Sequence, residues 1–250
     1  MHWYERTFGN RYLELYGHRN DSEARRAMPL VRRAAAQLGR FETLRVLDLA
    51  CGAGRYSRLL AADGCSVVGL DLSAELLKTA ADNIPEVGSG QRPHFVRADM
   101  RAVPFDRIFD LALNMFTSFG YFESDRENAS VLTELARALK PGGAFLIDYM
   151  NRPWVLASLV ARDRFMKHGI TVEQCRWISP DGLRVEKEVT VRGDQGQECY
   201  RESVRLYSRS EMEGMLDVAE LKVYEVFGDY DSAPHNENSP RLILSGRKTA

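Results

Sequence analysis

At 250 residues the chain suits one large domain, or a domain with an embellishment, and is long enough to bury a sizeable core. Its hydrophobic and charged fractions, 44% and 28%, are those of an ordinary globular protein and exclude a disordered or fibrous chain. A formal net charge of −1 removes any global electrostatic case for nucleic acid or anionic lipid.

Residues 1–20 are unusually aromatic, with Trp3, Tyr4, Phe8, Tyr12 and Tyr16. From 22 to 38 the apolar positions Ala24, Ala27, Met28, Val31, Ala34, Ala35 and Leu38 keep helical spacing, and Arg25, Arg26, Arg32 and Arg33 fall on the other faces. That arginine cluster reads as a solvated face rather than a polyanion site. Asn20 or Asp21 is the candidate cap, and Pro29 inside the run predicts a kink or two short helices. From 44 onward strand and helix signals alternate. Strands are expected near 44–50, 66–71, 94–98, 109–114 and 143–149, and helices near 54–63, 73–82 and 125–139, the last stopped by Lys140-Pro141-Gly142-Gly143. Alternation of this kind, with near-continuous apolar strands such as Phe109 to Leu113, predicts a parallel sheet with helices on both faces.

The pattern changes after 160. Residues 170–178, 183–192 and 198–208 read as meander strands joined by turns at Ser179-Pro180-Asp181-Gly182 and Gly193-Asp194-Gln195-Gly196. A short helix near 210–217, capped by Ser210, and strands near 220–228 and 241–247 finish the chain. The expected organisation is one α/β unit from 1–161 and 210–250, with 1–40 as a helical lid and 162–209 as an antiparallel β insertion. The insertion carries ten basic and eight acidic residues, so it offers no oriented field.

The chemistry concentrates in residues 44–73. An apolar strand passes through Asp48 into the small-residue turn Ala50-Cys51-Gly52-Ala53-Gly54, a helix follows, and a second apolar strand ends on Asp71. Such a unit places backbone N–H groups and a helix N-terminus beside a nucleotide, with the second acid where a ribose diol is gripped. A nicotinamide dinucleotide wants G-x-G-x-x-G, whereas the third glycine position here is Ser57. Asp48 discriminates further: it repels a pyrophosphate and favours a cationic, phosphate-free adenosine compound. S-adenosylmethionine (SAM) has both properties.

Asp48-Leu49-Ala50-Cys51-Gly52-Ala53-Gly54 resembles the first motif of the class I SAM-dependent methyltransferases. Asp71 resembles their ribose-binding acid, Arg97-Ala98-Asp99-Met100 their adenine-side acid and its neighbour, Phe109–Asn114 their fourth strand, and Leu139-Lys140-Pro141-Gly142-Gly143 the turn before the fifth. The likeness covers roughly residues 10–150 and the last two strands, and several motifs in order make it specific. Ala50 departs from it, standing where Gly is common, which narrows the turn's freedom. The resemblance implies a Rossmann-like, mostly parallel seven-stranded sheet and SAM as cofactor. It places the backbone of Ala50, Cys51 and Gly52 against the methionine and ribose, Asp71 and Leu72 at the ribose, and Asp99 and Met100 at adenine. Asp48, Asn114 and Met115 then border the methionine end. Tyr12-Leu13-Glu14-Leu15-Tyr16-Gly17-His18-Arg19 resembles the lid of small-molecule N- and O-methyltransferases, which implies Tyr16 near the sulfonium and Arg19 on the carboxylate.

Methyl transfer is an in-line displacement, for which a protein supplies position and a dry pocket, with a base only where the acceptor is protonated. The loop Asn114-Met115-Phe116-Thr117-Ser118-Phe119-Gly120-Tyr121 suits a small organic acceptor, methylated on O or N; it lacks the Asn-Pro-Pro-aromatic of nucleobase amine enzymes and any Pro-Cys pair. His235, in the polar loop Gly228 to Asn236, and Tyr149 are the candidate bases. The remaining histidines form no metal spacing, so no metal site is expected. Four scattered cysteines without a C-x-x-C pair, and an opening segment without a signal peptide's apolar core, lead to the expectation of a reduced, cytoplasmic protein without a membrane span. A homodimer contact is one use for the insertion; walling the acceptor is the other. Rival functions are a methyltransferase of tRNA or protein, an NAD-type oxidoreductase and a non-catalytic SAM-binding module.

Overall fold

A computed structural model describes residues 2–4, 21–84, 91–167, 169–193 and 196–249. In chain order its helices are α1 (Asp21–Ala35), α2 (Arg55–Ala62), α3 (Ala74–Asp82), α4 (Asp125–Ala138), α5 (Arg152–Ser158) and α6 (Arg209–Val218). The strands are β1 (Arg45–Leu49), β2 (Ser66–Asp71), β3 (His94–Arg97), β4 (Phe109–Asn114), β5 (Leu139–Met150), β6 (Arg162–Lys167), β7 (Ile170–Ile178), β8 (Arg184–Gly193), β9 (Gly196–Arg205), β10 (Leu221–Phe227) and β11 (Arg241–Lys248). Seven strands form one sheet in the order β10-β11-β5-β4-β1-β2-β3, parallel throughout except for β11, which runs antiparallel to both neighbours. The expected Rossmann-like, mostly parallel sheet is therefore present.

Residue alternation sorts the core onto two faces. Leu47, Leu49, Ala112, Phe145 and Ile147 meet α4 and α6 on one side. Val46, Val67, Leu111, Leu113, Leu146 and Ile243 meet α1 and α2 on the other. The order of β1 beside β4 leaves a crevice at the carboxyl ends of β1, β4 and β5, where strand order reverses, and this is where open α/β sheets take ligands.

Several local expectations need correction. Pro29 does not divide α1, which runs unbroken from Asp21 to Ala35: Pro29 and Arg25, whose carbonyl loses its N–H partner, both lie on the exposed face, open to solvent. The cap of α6 is Ser208, which accepts from Glu211 N while the Glu211 side chain returns to Ser208 N, so Ser210 is already helical. The insertion has four strands, in order β6-β7-β8-β9, because the polar edge strand β6 carries too little apolar alternation to be read. Helix α5 was also not anticipated; it is a short helix none of whose residues is buried, so its apolar residues follow no core-facing period. No helix among the described residues is long and apolar enough to cross a membrane.

Candidate active site

The turn after β1 has Ala50, Gly52 and Gly54 at φ 57°, 55° and 72°. Gly tolerates this left-handed backbone and Ala does not, so Ala50 is a point of strain. A Cβ on Gly54 would lie 2.9 Å from both Ala80 Cβ and Phe95 Cζ, so that glycine also lets the turn close onto α3 and β3. Two bonds stitch the first crossover to the second: Gly52 N donates to Asp71 Oδ2 at 2.8 Å and Ser73 N to Asp71 Oδ1 at 2.9 Å. Ser73 caps α3 as expected, accepting from Leu76 N, but Asp71 is not idle beside it. Each of its oxygens keeps further lone-pair capacity. Burial raises its pKa, against the backbone donors that lower it.

Asp48 lies one strand-width away, 2% exposed, and its Oδ2 accepts from Ser57 Oγ at 2.6 Å. Burial pushes its carboxyl up to about 6, opposed by Ser57 and Arg55 and reinforced by Asp71. Ser57, in place of the third glycine of a dinucleotide site, thus has its own partner. Room for it comes from Gly69 on β2, where a Cβ would sit 2.8 Å from Ser57 Oγ and from the Phe95 ring. Cys51, half-buried between the two acids, has its thiol pushed well above the ordinary range by burial, Asp48 and Asp71, which leaves it unreactive.

At the end of β4, Asn114 is 2% exposed and its Nδ2 donates to Leu49 O at 3.2 Å and Ser118 O at 3.4 Å. Its Oδ1 has no partner among the described residues. A buried acceptor without a donor is costly, and so is the buried carboxylate of Asp48 on the neighbouring strand without a cation. Those residues fit a group carrying an ammonium and suit SAM. Met115, next along the chain, is buried in the core cluster that also holds Tyr56, Phe227 and Tyr230.

Just beyond β3, Asp99 is held by Arg101 through Nε at 3.1 Å, Nη2 at 2.6 Å and the backbone N–H at 2.8 Å. Burial works to raise its pKa, yet these bonds hold it below the ordinary value. Met100 and Leu72 are partly buried against the core. Tyr16 and Arg19 lie outside the described residues.

Tyr149 does not reach the site. It is completely buried, its hydroxyl donates to Arg205 O and accepts from Tyr207 N at 3.4 Å, and burial raises its pKa far above neutrality. It is the tie between β5 and the end of the insertion, not a base. His235 stands at the rim, half-buried, its Nε2 3.2 Å from Asn151 Oδ1. Asn151 Nδ2 faces three carbonyls, those of Asn236, Glu237 and Ser239, at 2.9, 3.2 and 2.7 Å. That fixes the amide: Oδ1 must accept, so His235 carries its proton on Nε2 and keeps a lone pair on Nδ1. Burial and then Arg209 lower its pKa, so the imidazole is neutral at pH 7.

Sequence reasoning missed Asp148, Arg241 and Tyr230. Asp148 is wholly buried in β5, receiving Tyr230 Oη at 2.6 Å, Phe116 N at 2.9 Å and Arg241 Nε at 2.7 Å. The signal was present: an acid inside Phe145-Leu146-Ile147-Asp148-Tyr149 needs a partner for the same reason Asp48 does. Among the described residues no group of three His, Cys, Asp or Glu is placed to hold a metal ion.

A family model described as a methyltransferase domain matches residues 46–143. The dTDP-3-amino-3,6-dideoxy-alpha-D-glucopyranose N,N-dimethyltransferase of Streptomyces fradiae is 30% identical over 188 residues, 71% of this chain and 70% of that protein. A SAM-dependent methyltransferase from Clostridium acetobutylicum shares the fold at TM-score 0.78 over 96% of each chain, with 17% identity. CalS10, an amino pentose methyltransferase from Micromonospora echinaspora solved with SAM bound, does so at TM-score 0.68 over 95% of this chain and 96% of that one, with 21% identity. With the strand order, the paired acids and the orphaned acceptor of Asn114, these likenesses establish that the chain belongs to the class I SAM-dependent methyltransferases.

Proposed function

We propose that this enzyme methylates an amine on a small organic molecule of the amino-sugar kind. Bound SAM supplies an electrophilic methyl group on a sulfonium. The protein's own residues then have separable tasks. Asp48 faces the ammonium, Asn114 borders the methionine end, the backbone of Ala50, Cys51 and Gly52 lies along the methionine and ribose, and Asp71 accepts from the ribose hydroxyls. Asp99 and Met100 border adenine. His235 takes the proton that an amine carries at neutral pH, using the lone pair on Nδ1.

The observation that carries this reading is Asp48, a carboxylate 2% exposed at the end of β1 that asks for a cation, with the buried Oδ1 of Asn114 at the end of β4 asking for a donor. The amine acceptor is supported by His235, neutral and oriented at the rim, and by the amino-sugar acceptors named for the Streptomyces fradiae and Micromonospora echinaspora enzymes. Residues 162–209 serve as an accessory sheet beside the acceptor, since Arg184 donates to Phe122 O at 3.1 Å and Arg205 N to Gly120 O at 2.8 Å, both in the loop after β4. The near-zero net charge favours a free small molecule over a nucleic acid.

The test offers SAM with amino sugars, free and nucleotide-linked, beside phenols, quinols and a bulk tRNA pool, and follows product mass. Mono- and dimethylamine products support the reading. Methylation confined to hydroxyl, carbon or RNA acceptors ends it.

A further inference from the structure

The loop leaving β4 holds two consecutive side-chain-bearing residues in the left-handed region, Phe116 at φ 62° and Thr117 at φ 60°. L residues avoid that region, a β-branched threonine above all, and remain there only where the surroundings impose it. Here they do so at each point. Phe116 N donates to Asp148 Oδ2 at 2.9 Å, Thr117 N donates to Asp148 O at 2.8 Å, and Thr117 Oγ1 accepts from Arg241 Nη2 at 2.9 Å. Arg241 in turn holds Asp148 Oδ1 at 2.7 Å, and Tyr230 Oη holds Oδ2 at 2.6 Å.

A buried ion pair is a poor source of stability compared with apolar residues of the same volume. What this one specifies is a single conformation of the loop. The consequence is visible in the Phe116 ring, which has the Arg55 guanidinium 5.2 Å from its centroid and that of Arg241 at 5.8 Å. Arg55 opens α2 directly after the cofactor turn, while Arg241 opens β11, paired with Met150 at the end of β5. The ring therefore spans from the cofactor turn to the acceptor side of the crevice, two residues beyond Asn114.

We propose that Asp148 and Arg241 are positioning residues for methyl transfer, which clamp Phe116 and Thr117 in a strained turn so that the Phe116 ring fixes the acceptor's line of approach. This rests on the reading of the crevice at the ends of β1, β4 and β5 as the transfer site. In-line displacement tolerates little misplacement, so the clamp acts on kcat far more than on cofactor affinity.

The experiment compares Thr117→Ala and Arg241→Lys with the wild type and with Val131→Ala, a core variant in α4 remote from the clamp. Asp148→Asn is added where it folds. Three quantities are read: S-adenosylhomocysteine affinity by calorimetry, amide hydrogen exchange at Phe116 and Thr117 in that complex, and kcat and KM for any acceptor turned over. Expected for the clamp variants are at least fivefold lower kcat, affinity within threefold, and at least tenfold faster exchange at the two amides. Val131→Ala loses Tm with none of these changes. Clamp variants that keep wild-type kcat, or that match Val131→Ala in every readout, overturn the proposal. If the wild type methylates no amine, the acceptor reading fails by itself, and exchange still decides: unprotected amides at 116 and 117 in the wild-type complex overturn the clamp.

Discussion

Replacing Asp48 by Asn removes one buried negative charge while keeping the shape of the side chain. In the cofactor-free protein burial raises this carboxyl from the ordinary 3.8 to about 6. That gap corresponds to about 3 kcal/mol of differential interaction between the two protonation states. The sign follows from the direction of the shift. An acid whose folded pKa is raised leaves the protein at full stability below pH 3.8, and that stability is lost as pH climbs through about 6. Cofactor-free wild type is therefore less stable at pH 7 than at pH 4 by up to about 3 kcal/mol from this residue. Asp48→Asn lacks that slope.

Binding reverses the balance, because the ammonium of the ligand pairs with the ionised form. With the free carboxyl at about 6 and the ammonium holding the ionised form in the complex, SAM affinity at pH 5 is about tenfold weaker than at pH 7 and levels off above it. Close to one proton is released per ligand at pH 5 and almost none at pH 7, below the range where the ligand's own amine titrates. Loss of a charge-assisted hydrogen bond costs about 1.5–3 kcal/mol, so Asp48→Asn weakens binding by about ten- to hundredfold at pH 7. Calorimetry in two buffers of different ionisation enthalpy measures both the affinity and the proton count. Wild-type affinity that is flat from pH 5 to 7, or an Asn variant that binds as tightly as wild type, refutes the reasoning.

Four further outcomes are expected. Ala50→Gly relieves the φ of 57° and raises stability by about 0.5–1 kcal/mol in denaturant melts, after the entropy of the more flexible unfolded chain is subtracted. Gly69→Ala drives a Cβ to 2.8 Å from Ser57 Oγ and the Phe95 ring, costs about 1–3 kcal/mol, and, with the Ser57–Asp48 bond displaced, moves the pH slope of SAM affinity to higher pH, because that bond lowers the Asp48 pKa. Tyr149→Phe lowers stability by about 1–3 kcal/mol through the partners it leaves behind, and its pH–rate profile overlays the wild-type curve. His235→Ala lowers kcat and removes an acidic limb lying below pH 6.5, and ¹⁵N spectra of the wild type show the Nε2–H tautomer; a retained limb assigns the base elsewhere.

The α/β scaffold was legible because its signals are local. Strand Phe109–Asn114 is near-continuously apolar through Leu113, Ser73 precedes a helical run, and the small-residue turn follows an apolar strand, each within a window of a few residues. The acids Asp48 and Asp71 were legible for the same reason. Ser57 is instructive: it read as an absent glycine, yet its meaning is set by Gly69, a strand away, which leaves the space that lets its hydroxyl reach Asp48. Tyr149 misled because a tyrosine at the end of the fifth strand has two readings that local sequence does not separate. What separates them is Arg205, 56 residues on, whose carbonyl takes the hydroxyl. Asp148 was overlooked although its burial was inferable, since its partner Arg241 lies 93 residues away. Pattern reveals that a buried acid must be satisfied, but not by whom. In this fold the answer depends on β11 running antiparallel into the sheet, which brings the first residue of the last strand to the last turn of the fifth. The antiparallel strand thus does more than complete the sheet: it delivers the Arg241 guanidinium that neutralises Asp148 at the edge where the loop after β4 must be held.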